Sequence, residues 1–164
     1  MNWDAMGAIG EIVGAVAVVF SLVYLSLQIR NQNNESRIAA MHEISVAHRE
    51  SVAAISEGNF ADIFVRGIED YESLSPPDAL RVVGFVYRLF KVWEEAYFQF
   101  KAGRLEPRIW EPMTRQFAAY YSMAPFKKTW ELRSEFVDSE FRAFVNSLEK
   151  VEIKMAYHQR DQTV

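Results

Sequence analysis

Ala5-Met6-Gly7-Ala8-Ile9-Gly10-Glu11-Ile12-Val13-Gly14-Ala15-Val16-Ala17-Val18-Val19-Phe20-Ser21-Leu22-Val23-Tyr24-Leu25-Ser26-Leu27 carries a single charged residue, Glu11. As a helix rising about 1.5 Å per residue the stretch reaches roughly 35 Å, enough to cross a hydrocarbon core of about 30 Å. Residues 1–30 therefore read as a transmembrane anchor. Two other readings compete. A cleaved signal peptide calls for basic residues ahead of the apolar run and small residues at its end, yet Met1-Asn2-Trp3-Asp4 has no Lys or Arg and Gln28-Ile29-Arg30 is a poor cleavage site. The core helix of a soluble domain gains some ground from Gly7, Gly10, Gly14 and Glu11, which lower the hydropathy and leave Ile12 to Leu27 as the strongest part.

The flanks of the span set an expected orientation. Arg30 and Arg37 follow it, with Glu35 between them, and no basic side chain precedes it, so the positive-inside rule puts the N-terminus outside and the bulk of the chain in the cytoplasm. Trp3 and Tyr24 stand near the two ends, where interfacial aromatics belong. Gly7, Gly10, Gly14, Ala17 and Ser21 are spaced 3, 4, 3 and 4, which aligns them in one stripe. Helices in a bilayer associate by close backbone approach, and Gly10 with Gly14 forms a GxxxG pair that permits it. The stripe predicts a homo-oligomer with these five residues at the interface, although glycine and alanine are also simply frequent in membrane helices. Glu11 is the one ionisable group in the span. It either reaches the headgroups from a shallow position or faces a partner, a cavity or a path for ions.

The remaining composition narrows the classes. Half of the 164 residues are apolar, which suits a folded core, and the formal charge of −4 is spread without a basic stripe, so nucleic acid is not an expected partner. With no cysteine there is no disulfide, thiolate metal site or cysteine nucleophile.

Beyond Asn31-Gln32-Asn33-Asn34 the apolar pattern resumes at Ile38, Met41, Ser45, His48, Val52 and Ile55, marking an amphipathic juxtamembrane helix over residues 31–57 that either continues the anchor or hinges on the polar tetrad. Gly58 stops it, and Asn59 is the expected cap of a short helix from Phe60 to Tyr71. Ser75-Pro76-Pro77 starts the longest soluble helix, which runs to Lys101-Ala102 and ends at Gly103. Leu80, Val83, Val86, Tyr87, Phe90, Trp93, Tyr97 and Phe100 form its broad aromatic stripe, read as core because no basic rows or glycine loops accompany it. Arg108 to Tyr121 gives a further helix with Trp110, Met113 and Phe117. Pro125 opens another that carries Trp130, and Ser134 is the expected cap of the last. That last helix presents Val137, Phe141, Phe144, Val145, Leu148 and Val151 on one face before a frayed polar tail over residues 159–164. Residues 58–158 thus read as a helical bundle. No segment alternates with period two between hairpin turns, and nothing repeats at a fixed interval, so the expected fold class is all-α.

The run Ala8 to Val19, with Leu22-Val23-Tyr24-Leu25 and Gln28-Ile29-Arg30-Asn31-Gln32-Asn33, resembles the opening of a family of uncharacterised bacterial single-span inner-membrane proteins. These join an N-terminal transmembrane helix to a helical cytoplasmic domain. The likeness is strong as far as Asn33 and looser at Trp110, Trp130 and Phe136 to Phe144. It implies a bacterial inner-membrane location and single-pass topology, and it brings no catalytic or binding residue with it.

Few residues are spaced for chemistry. His42-Glu43 and His48-Arg49-Glu50 place histidines six apart, on different faces, where a zinc helix needs two histidines four apart. His48 reads as a core or interface histidine. Glu94-Glu95 lacks the histidine of a two-iron bundle and reads as a solvated face. The nucleophile elbow, phosphate loop and dinucleotide fingerprint are missing. The expectation is a non-enzymatic protein with no catalytic residue, metal or cofactor, anchored in the lipid bilayer, self-associating and acting as a scaffold or interaction module whose protein partner the sequence does not name. The alternative is a homo-oligomeric channel with Glu11 lining the path.

Overall fold

A computed structural model describes residues 3–148, and over them the chain is helical. Val151 and the polar tail lie outside the described residues. Six α-helices follow in order: α1 Trp3–Ile55, α2 Phe60–Glu69, α3 Pro76–Lys101, α4 Pro107–Tyr120, α5 Ala124–Arg133 and α6 Ser139–Ser147. Short 3-10 turns at Tyr71–Ser73 and Ser134–Phe136 link α2 to α3 and α5 to α6. The chain divides at Ala39/Ala40 into two units, the second of which is the bundle. No break falls at the Asn31 to Asn34 tetrad; α1 runs through it.

The helix boundaries follow local chemistry. Ser75 accepts the Asp78 N–H at 3.3 Å, and the prolines that follow it cost no helical hydrogen bond in the first turn. Gly103 adopts φ 70° just beyond α3, and Gly58 φ 59° beyond α1, a conformation that a side chain would strain. Asn59 does stand at the head of α2, but its side chain makes no cap bond; its Oδ1 accepts from Arg81 at 3.2 Å instead. The cap of α6 is Asp138, not Ser134. The Asp138 carboxylate accepts the Glu140 N–H at 2.7 Å, while Ser134 begins the preceding turn.

The bundle is built around α3. Val82, Val86, Phe90, Trp93 and Ala96 are each no more than 1 % exposed. Burial wraps further round α3 than one stripe, taking in Phe85 and Leu89, because α2, α4 and α5 all pack against it. Leu80 is the exception in the expected stripe, standing 67 % exposed in the first turns. Trp93 stacks parallel on Phe117 at 4.6 Å and meets the edges of Phe141 at 5.4 Å and Phe144 at 5.8 Å, tying α4 and α6 to α3. Such aromatic pairs add about 0.5–1.5 kcal/mol each beyond the area they bury. The stripe is core, as its periodicity predicts. Where α2 meets α5, a Cβ on Gly67 would come within 3.1 Å of Leu74 and 3.7 Å of Pro125, so only glycine fits without displacement.

Within the bundle unit, α1 contributes a different face from the one its large apolar residues predict. Ala40, Ile44 and Ser51 are buried, while Met41 and Val52 are 40 % and 51 % exposed. Small residues at 40, 47 and 51 admit the closer approach, and the face turns by about one position relative to Met41, Ser45 and Val52.

Candidate functional sites

The expected membrane segment lies in the first unit. Its best 18-residue window has a mean hydropathy of 2.3, and none of that window is buried. Ile12, Phe20 and Tyr24 are about two-thirds exposed, quite unlike the apolar residues of α3. By length and composition α1 is sufficient to cross a membrane. A Cβ added at Gly7, Gly10 or Gly14 meets nothing within 4 Å, so packing inside this chain does not require glycine at any of the three. Ser21 donates to the Ala17 carbonyl at 2.9 Å, which satisfies its hydroxyl within the helix while leaving oxygen lone pairs to accept. Glu11 is exposed beside Gly10 in the same helix. The Trp3 side chain is outside the described residues.

A second feature was not legible in the sequence. Within the bundle unit, α1, α2, α3 and the α4–α5 corner surround a cavity of about 220 Å³. Val52, Ile55, Phe64, Phe85, Leu89, Met123 and Phe126 supply apolar walls, and His48, Ser51 and Tyr120 supply the polar atoms. Phe64 and Phe85 meet edge to face at 5.4 Å, and Tyr120 tilts against Phe126 at the same centroid distance. Ser51 donates to the Ala47 carbonyl at 2.8 Å, and the Tyr120 hydroxyl accepts from Gln116 at 2.7 Å. His48 sits half-buried at this cavity, at the edge of the face that α1 turns to the bundle, and not in the core. Its periodicity was the only available signal; the opposite walls come from residues up to 78 positions away, which no local pattern announces.

The charged groups are arranged differently from expectation at one place. Glu94 is 7 % exposed and not part of a solvated face, while Glu95 is exposed. The Glu94 carboxylate accepts the Asp138 N–H at 2.5 Å and is met by the Lys91 ammonium, so it fastens the start of α6 to α3. Nearby, Glu140 takes Lys101 at 2.8 Å and the Tyr97 hydroxyl at 3.0 Å. The Lys101 and Tyr97 hydrogen bonds hold the Glu140 carboxyl below its ordinary range. Burial, then the bond to Glu140, push the Tyr97 phenol up. Burial likewise raises Tyr121. These groups lie on the structural seams of the bundle and do not line the cavity. Among the described residues, no three of His, Asp and Glu come together to hold a metal.

Compared with known protein families, with curated proteins and with solved structures, the chain matches none.

Proposed function

We propose that this protein is a single-pass inner-membrane protein whose N-terminal helix both anchors and pairs copies of the chain, presenting the helical bundle in the cytoplasm as a non-enzymatic scaffold. The observation that carries the reading is the exposed apolar length of α1, with glycines at 7, 10 and 14 whose Cβ positions are open. Apolar surface of that extent finds its free-energy minimum in hydrocarbon, and small residues let two such helices approach closely there.

The absence of cysteine makes the topology directly measurable. Single cysteines introduced as Asn2→Cys and Ser73→Cys are exposed in intact cells to a membrane-impermeant maleimide. Labelling at position 2 and protection at position 73 are expected; the reverse pattern refutes the orientation, and labelling of neither before lysis refutes the single span. Native mass measurement in detergent then reads the copy number, and a strict monomer at all protein concentrations refutes self-association.

A further inference from the structure

The bundle cavity has no part in the anchoring function, and its size and lining specify a ligand. Its volume of about 220 Å³ is half as large again as the roughly 150 Å³ of an apolar cavity that takes up benzene. It therefore accommodates two fused rings better than one. The walls favour a flat aromatic guest over an alkyl chain: Phe64, Phe85 and Phe126 offer ring faces and edges, and Met123 offers a polarisable sulfur suited to ring contact. The polar atoms are few: the Tyr120 hydroxyl on α4, which accepts from Gln116, and a pair on α1. His48 and Ser51 lie three residues apart on α1, hence on one side of the cavity. Because the Ser51 proton is committed to Ala47, its oxygen remains as an acceptor toward a guest, and the His48 imidazole provides a second group that can accept. Apolar walls with a few convergent polar groups are the usual form of a small-molecule site.

We propose that the bundle binds a small bicyclic aromatic molecule bearing one N–H or O–H donor, stacked among Phe64, Phe85 and Phe126 with its donor directed at Ser51 or His48. The site is formed wholly by residues of the second unit, so it stands or falls independently of the reading of the N-terminal helix.

Indole is the probe, added to the full-length chain in lipid nanodiscs with the methionine methyl groups labelled with carbon-13. The Met123 methyl resonance is expected to shift saturably, with half-saturation at about 0.1–1 mM as is usual for a ligand of so few atoms, while the exposed Met41 methyl does not. Val52→Trp introduces bulk from the half-exposed mouth of the cavity and is expected to weaken the saturable shift at least tenfold while helical content is unchanged. Leu89→Phe, which fills the same space from α3, provides a second filled variant should Val52→Trp unfold. A linear, non-saturating shift of all methyls shows partitioning into lipid alone and overturns the proposal. Undiminished binding in a folded, filled variant overturns it too. Saturation by 1-octanol with none by indole replaces the aromatic guest with an alkyl one and overturns the assigned class.

Discussion

Glu94 shows how one side chain decides a junction. It is buried, it accepts the Asp138 N–H that precedes α6, and Lys91 balances its charge. Removing a buried acceptor leaves a donor unpaired, at a cost of about 1–3 kcal/mol, and more where a charge loses its partner. Glu94→Leu is therefore expected to lower unfolding stability by about 2–4 kcal/mol, and Glu94→Gln, which retains an acceptor, by roughly half as much, as measured by chemical denaturation. The half-exposed Glu140 gives a gentler, pH-dependent effect. Its carboxyl is held below 4.5 in the folded chain, so it binds fewer protons than in the unfolded chain. Its contribution is thus present above about pH 4.5 and is lost as pH falls through the folded value. Glu140→Gln is expected to lower stability slightly at neutral pH and to leave it unchanged at the acid end, where the native carboxyl is protonated too, so that the acid limb of the profile flattens; the effect is small because the pair is in contact with water. Glu11 lies in the other unit, on the N-terminal helix. If it reaches the headgroups, Glu11→Gln leaves assembly and bilayer conductance as they were, which is the expected result. A cation current in reconstituted bilayers that disappears in Glu11→Gln would establish the channel reading instead.

At the scale of the element, α1 carries the prediction most specific to this chain. Gly10→Leu and Gly14→Leu add side chains where nothing in the chain stands within 4 Å, so helix and bundle are expected to fold as before. Leucine also favours hydrocarbon, and insertion is retained. What changes is the distance at which a second helix can approach, so the oligomer measured in detergent or lipid is expected to shift toward monomer. Unchanged assembly would move the contact to another face. The same helix shows what a sequence reveals and what it withholds. Its length and apolar character are properties of consecutive residues, and they were readable, as were the Ser75-Pro76-Pro77 start and the Gly103 stop of α3, where the chemistry is local. The face turned to the bundle was not readable, because close packing there selects Ala40 and Ser51, residues that a hydropathy pattern ranks below Met41 and Val52. The α6 cap failed for a related reason. Ser134 and Asp138 are both competent caps four residues apart, and the choice follows the carboxylate of Glu94, which is distant in sequence. The cavity is an extreme case, since its walls are drawn from four stretches of chain that only the fold assembles.

At the scale of the whole molecule, the division at Ala39/Ala40 means that the apolar length of α1 and the core of the bundle lie in separate units. Among the described residues, the buried core gathers Trp93, Phe117, Phe126 and Phe141 and draws on nothing before Ala40. Removing residues 1–29 therefore takes away exposed apolar surface and leaves Ile44, Ser51 and the walls of the cavity in place. The shortened chain is expected to be soluble, predominantly helical by circular dichroism and to unfold cooperatively, because every side chain in the core cluster is retained. The full-length chain, by contrast, is expected to stay with the membrane fraction through high-salt and alkaline washes, which strip proteins held by charge but not those held by a buried apolar helix. The pair of measurements separates two causes of membrane association. If the shortened chain still sediments with membranes and salt releases it, the bundle itself binds the lipid surface through its charges; if salt releases the full-length chain as well, the N-terminal helix does not cross the bilayer at all.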